Sequence, residues 1–196
     1  MTAAELLAAG GVLAIPTESS YGLGVDPRDA QGVEAIYRLK GRERGKALPV
    51  VAADVAQLLA VGVEADSEAL SWARPRWPSA LTVVLPLTAP IPASAGAPTI
   101  AARIPAHAGL RALLGELGHA LTATSANPSG EPPLTDPAAV RNWLAASGER
   151  FLVVDQGATP GGAPSTLVEL RDGEVVILRK GRDLSLIHIS EPTRPY

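Results

Sequence analysis

The sequence predicts an α/β domain built on a mixed sheet, and three observations predict it. Short apolar runs of strand length alternate along the chain with segments of helical period. Asp172-Gly173 lies between two further apolar runs, Thr166–Leu170 and Glu174–Leu178, and places an antiparallel hairpin in that series. The 196 residues suit a single domain.

The elements follow in order. Thr2-Ala3-Ala4-Glu5 has capping-box spacing, so a short helix runs to Ala9 and stops at Gly10-Gly11. Val12–Ile15 reads as a buried strand that ends in a polar loop, Pro16-Thr17-Glu18-Ser19-Ser20-Tyr21-Gly22-Leu23-Gly24. Asp29 caps a second helix with Val33, Ile36 and Tyr37 on one face, and Lys40-Gly41-Arg42 leads out of it to an apolar strand, Leu48–Val51. Helices are predicted near Val55–Ala60, Ser67–Ala73 and Leu110–Leu117. Strands are predicted at Leu81–Leu85, Ile100–Ile104, Ala120–Thr124 and Phe151–Val154. Asp136-Pro137 starts a helix to about Ala146, with an N-cap and a first-turn proline. The Pro/Gly-rich stretches Thr88–Pro98 and Gly157–Pro164 read as loops within the domain.

Composition excludes several classes. Hydrophobic residues make up 46%, charged residues 19%, and the net charge is −3, values of a soluble globular chain. Aromatics are only 4%, so the core is expected to be aliphatic. No apolar run approaches the ~20 residues that span a bilayer. The start lacks the basic and apolar stretches of a signal peptide, and a chain without cysteine forms no disulfide or thiolate metal site; both fit a cytoplasmic location. Twenty acidic against 17 basic residues argue against affinity dominated by nucleic-acid phosphates. His107 and His119 lack zinc-site spacing, and His107 is expected to cap or pack at its helix start rather than serve as a base. Neither a Gly-x-Ser-x-Gly elbow nor a P-loop occurs. The domain is expected over residues 1–183. Residues 184–196 are similar to the translation of a transposase adapter used in sequencing libraries, and are set apart as a read-through tail in which His188 carries no function.

Four segments place polar or cationic groups at predicted strand ends, where open α/β sheets bind ligands. The glycines of the opening loop suggest unusual backbone angles or a ligand's close approach; the plain alternative is a capped turn. Lys40, Arg42, Arg44 and Lys46 put four cations in seven residues, either a phosphate clamp or a solvated helix end. Arg103 interrupts an apolar strand and either pairs with a carboxylate, Glu18 or a ligand's, or lies on an exposed sheet face. Thr122–Gly130 is a hydroxyl- and amide-rich turn that can bind phosphate oxygens, or an Asx or Ser/Thr turn.

Taken in order, the chain's motifs resemble the YrdC-like family of threonylcarbamoyl-AMP synthases. The matching pieces are Pro16–Gly24, Lys40-Gly41-Arg42, Trp77–Thr82, Ala102-Arg103-Ile104-Pro105 with His107, Thr124–Gly130, Pro164-Ser165-Thr166 and Leu178–Gly181. The resemblance implies a twisted mixed sheet with flanking helices and a concave ligand cavity. It also implies a nucleotidyltransferase that joins L-threonine, bicarbonate and ATP into threonylcarbamoyl-AMP and pyrophosphate. The product serves modification of the adenosine beside the tRNA anticodon, through a separate transferase complex.

Carried residue by residue, the resemblance makes Lys40 and Arg42 the catalytic cations on ATP phosphates and carbamate. Lys46, Thr99, Ser125, Asn127 and Arg179 are expected in the nucleotide site. Thr17, Ser19, Tyr21, Arg103, Ala123 and Ser165 are expected around L-threonine, with Arg103 on its carboxylate. Mg²⁺ is inferred from the triphosphate chemistry. Ser19 stands where the family commonly has threonine, Lys46 where some relatives have asparagine, and Val51 where some have histidine. Two other readings stand beside this one: a double-stranded-RNA-binding module, with weak RNA binding, and a carbamoyl-transfer domain of the hydrogenase-maturation type.

Overall fold

Thr2 opens helix α1 (Ala3–Ala8): its hydroxyl accepts from the Glu5 N–H and the Glu5 carboxylate accepts from the Thr2 N–H. In the computed structural model, which describes residues 1–185, five more helices follow. They are α2 (Ala30–Lys40), α3 (Val55–Val61), α4 (Glu68–Ala73), α5 (Ala108–Leu117) and α6 (Pro137–Ala145). Asp29, Asp54, Ser67, His107 and Asp136 cap α2 to α6 through side-chain acceptors, as these residue types do at helix starts. Of the tail set apart in the sequence, residues 186–196 lie outside the described residues.

The strands are β1 (Val12–Pro16), β2 (Tyr21–Gly24), β3 (Val50–Val51), β4 (Leu81–Pro86), β5 (Thr99–Arg103), β6 (Leu121–Thr122), β7 (Thr124–Ser125), β8 (Phe151–Val153), β9 (Thr166–Arg171) and β10 (Glu174–Arg179). They form two mixed sheets, ordered β7-β2-β1-β8 and β10-β9-β4-β5-β3-β6. The parallel pairs are β1/β8, β4/β9 and β3/β5. The hairpin turn has φ of 53° at Asp172 and 78° at Gly173, left-handed at both positions as a two-residue loop between twisted strands requires.

Strand β1 is buried along its whole length, which is why its sequence is an apolar run without alternation. Val12 and Ala14 enter the main core with Leu81, Val83 and Ile100; Leu13 and Ile15 face a second cluster with Leu6, Leu110 and Leu114.

Two sequence expectations are corrected. The second half of the opening loop is strand β2, paired antiparallel with β1. Its glycines are not at positive φ. A Cβ on Gly24 would lie 3.2 Å from the Leu121 side chain, and one on Gly22 3.4 Å from the Thr124 carbonyl oxygen, so they admit neighbouring strands rather than an unusual turn. The strand expected over Ala120–Thr124 is split: the chain changes sheets at Ala123, whose N–H turns away to the Pro49 carbonyl. This crossing joins the two sheets and brings the opening loop, the end of α2 and β5 to one hollow.

Candidate active site

A cavity of about 530 Å³ opens where the sheets meet. Thr17, Ser19 and Tyr21 line it from the β1–β2 hairpin, Arg42 from beyond α2, Arg103 from β5, Ala123 and Ser125 from the sheet crossing, and Ser165 and Arg179 from the ends of β9 and β10. The structure thus gathers residues that are up to 162 positions apart in the chain (17 to 179).

Each cation arrives by its own local device. Gly41 ends α2 in the left-handed conformation, φ 56°, and turns the chain so that Arg42 reaches the cavity wall. There the Arg42 Nη2 donates to the Ala47 carbonyl at 3.1 Å, while its Nε is buried without a hydrogen-bond partner. Arg103 sits on the same face of β5 as Ala101, which also lines the cavity. Its side chain is only 13% exposed, which overturns the exposed-sheet reading, and its Nη2 meets the Glu18 carboxylate at 3.2 Å. The Arg103 Nε is also buried and unpartnered. Burial pushes the Arg103 pKa down, and the neighbouring Glu18 carboxylate opposes that shift.

Arg179 owes its place to a bulge. Ile177 pairs with Val168, but Arg179 rather than Leu178 stands opposite Leu167, a cavity residue. The extra residue re-aims the strand end, as bulges beside sites do. The Arg179 guanidinium donates to the Ser165 carbonyl at 3.0 and 3.3 Å and to the Ser165 hydroxyl at 3.2 Å. Burial lowers the Arg179 pKa as well.

Lys40, Asn127, Lys46 and Thr99 lie outside the lining, and Thr17 and Tyr21 line it with their hydroxyls bonded to the backbone. Lys40 is 4% exposed and does not line the cavity. Its ammonium donates to the Ser125 carbonyl, to the Asn127 carbonyl at 2.9 Å and to the Asn127 side-chain oxygen at 3.1 Å. Asn127 is itself tied inward, its amide donating to the Pro128 and Glu131 carbonyls. Lys46 and Arg44 are exposed and paired with Glu43 and Glu34, so the four cations of that segment do not form one clamp. Thr99 begins β5 opposite Pro86, outside the cavity lining. The Thr17 hydroxyl donates to the Ser20 carbonyl at 2.7 Å and shapes the loop. Tyr21 is fully buried, its hydroxyl donating to the Gly157 carbonyl at 2.8 Å.

Sequence reasoning counted Thr82 and Pro164 in matching motifs without a site role and read the stretch with Gly161 and Gly162 as loop; all four line the cavity. The Thr82 and Ser165 hydroxyls lie 2.7 Å apart, and the Gly161 N–H donates to the Ser19 carbonyl at 2.8 Å. The available signal for the stretch was its density of glycine and proline, which allows backbone to pass close to a ligand. Arg182 donates to the Gly161 and Ala163 carbonyls and fastens this strap from outside. Gly181 is the pivot: a Cβ there would lie 2.4 Å from backbone atoms of Pro164, Ser165 and Thr166. Gly181→Ala is therefore expected to destabilise the fold by roughly 3 kcal/mol, since rigid backbone must move to admit it. A urea titration checks this, and an unchanged midpoint would refute the contact.

Chemically, the cavity offers guanidinium donors from three directions and hydroxyls between them, an arrangement for anions with several oxygens. Residues 5–181 match the Sua5/YciO/YrdC family model, described as telomere recombination. A Thiobacillus denitrificans protein named threonylcarbamoyl-AMP synthase is 38% identical over 169 residues, 85% of this chain and 88% of that protein. A Bacillus subtilis protein of the same name is 37% identical over 182 residues, 91% of this chain and 52% of that one. The crystal structure of P. abyssi Sua5 complexed with L-threonine superposes with a TM-score of 0.80 at 33% identity, over 91% of this chain and 53% of that one. The chain therefore spans most of the Thiobacillus relative and about half of the other two. With its family model matched over nearly its whole length, the chain belongs to the Sua5/YciO/YrdC family.

Proposed function

We propose that this chain is an L-threonylcarbamoyladenylate synthase. It joins the amino group of L-threonine and bicarbonate as a carbamate with loss of water, and a carbamate oxygen attacks the α-phosphorus of ATP and displaces pyrophosphate. The observation that carries the reading is the convergence of Arg42, Arg103 and Arg179 on one cavity. Three guanidinium groups that face one cavity suit a ligand with several anionic oxygens. Names of relatives and the threonine complex of the P. abyssi protein support the same choice of substrates.

In this reading Arg103 holds the threonine carboxylate, with Ser19, Tyr21, Ala123 and Ser165 around the amino acid. Arg42 neutralises carbamate and phosphate as they approach, and Ser125 and Arg179 bound the nucleotide, while Thr99 and Lys46 lie outside the cavity lining. Lys40 and Asn127 act from below by fixing the Ser125 loop. Forcing two anions together is the main barrier, and fixed guanidinium groups lower it by charge stabilisation and orientation. Mg²⁺ would ride chiefly on the phosphates, because among the described residues no group of three His, Cys, Asp or Glu side chains is placed to hold a metal. The catalytic unit is residues 1–183, closed by the Asp183 carboxylate accepting from the Ala80 N–H at 2.8 Å. The adenylate passes to a separate tRNA-modifying complex, in the cytoplasm; among the described residues no helix is long and apolar enough to cross a membrane.

Pyrophosphate release with ATP, bicarbonate and L-threonine tests the proposal. Release should require all three, and the product should carry both threonine and AMP. Release that persists at the same rate without threonine would reduce the chain to an ATP pyrophosphatase.

A further inference from the structure

We infer that Glu18 is a positioning residue of the L-threonine subsite, holding Arg103 in the orientation that offers the open side of its guanidinium to a substrate carboxylate. The inference rests on the reading of Arg103 given above. Glu18 lies in the loop between β1 and β2 with its side chain 14% exposed, and it does not line the cavity, so it acts through Arg103. One carboxylate oxygen accepts from the Arg103 Nη2 at 3.2 Å and the other from the His107 main-chain N–H at 3.3 Å. His107 in turn caps α5, its Nδ1 accepting from the Leu110 N–H at 3.0 Å. Glu18 is therefore clamped between a helix start and the arginine, and its own position is fixed.

A guanidinium has five N–H donors in a rigid plane. Glu18 engages Nη2, and Nε remains buried with no acceptor. Without the carboxylate the side chain could turn and satisfy Nε elsewhere; with it, the plane keeps the direction in which Arg103 lines the cavity. The position requires a carboxylate rather than an amide, because both oxygens accept. Glutamine has one oxygen and one NH₂ group, so it must present a donor either to Arg103 or to the His107 N–H.

The test is Glu18→Gln, assayed by pyrophosphate release. KM for L-threonine should rise about tenfold, with KM for ATP unchanged, since only the amino-acid subsite loses its geometry. In an Arg103→Lys background the same change should add less than about twofold, because the fork that Glu18 aims is already gone. A Glu18 of purely structural importance would lower the melting temperature and the active fraction while leaving KM for threonine alone. It would also multiply with Arg103→Lys. Either result overturns the inference. A wild-type chain without threonine-dependent release would instead remove the proposed function. The ¹⁵Nε–H resonance of Arg103, assigned by its loss in Arg103→Lys, then decides: Glu18→Gln should broaden or displace it, and an unaltered resonance refutes the positioning role.

Discussion

Arg103→Lys should lower kcat/KM for L-threonine by about 100-fold, equivalent to about 2.7 kcal/mol, while the melting temperature stays close to that of the wild type. Lysine keeps a cation beside Glu18, so the carboxylate is not left buried alone. What it removes is the planar fork that can meet a carboxylate with two donors. Hydrogen bonds to charged groups contribute about 1.5–3 kcal/mol each, so losing one or two to a carboxylate accounts for the size of the effect. Arg103→Ala would test the same point less cleanly. Breaking a pair of this burial at one partner costs on the order of 3 kcal/mol of stability, and lost folding would be confused with lost binding. Initial rates over a threonine series at saturating ATP are the measurement. A change of KM below about threefold would show that the substrate carboxylate binds elsewhere, since a lost charged contact costs more than that.

Arg103 also shows what a sequence can reveal. A lone guanidinium in an apolar strand demands a partner, and Glu18 was one carboxylate the sequence offered for it. Caps and the Asp172-Gly173 turn were legible for the same reason: each is a local bond or backbone angle required within a few residues. Strand β2 was not legible, since four residues with two glycines look like a turn until the strands that crowd them are known. Nor was the sheet crossing at Ala123, which is decided by an N–H bonding to distant Pro49. The cation cluster misled in an instructive way. Spacing places Lys40, Arg42, Arg44 and Lys46 close together, but direction is set by the helix end at Gly41 and by which carboxylates stand nearby. One of the four reaches the cavity lining, two meet surface glutamates, and one turns under a loop.

That buried lysine gives the second large effect: activity should fall as pH rises through about 8 while the fold holds. Lys40 has its pKa pushed down from 10.5 to about 8, first by burial and second by the charge of Arg42. Below that pH the ammonium supplies three hydrogens to three acceptors, the Ser125 and Asn127 carbonyls and the Asn127 side-chain oxygen. Above it the neutral amine has two hydrogens and a lone pair, and one acceptor of the Ser125 loop is released. Ser125 lines the cavity, so the nucleotide site loosens. Stability moves the other way. Between about pH 8 and 10.5 the unfolded chain holds a proton that the native lysine has lost, so this group's contribution to folding stability rises with pH across that window.

Lys40→Met separates the two. It keeps the packed stem and removes all three bonds, which should cost roughly 3 kcal/mol of stability at pH 7 because buried acceptors lose their donor. The variant's activity should be low at every pH and lack the alkaline decline near pH 8. Rate–pH profiles beside urea midpoints at each pH supply both readouts. If Lys40→Met keeps the wild-type decline, another group controls it; if wild-type activity and stability fall together above pH 8, the decline is unfolding. A selective loss places Lys40 beneath the site as the charge that keeps a binding loop in register, and makes the nearby Arg42, whose charge helps lower its pKa, the cation that meets substrate.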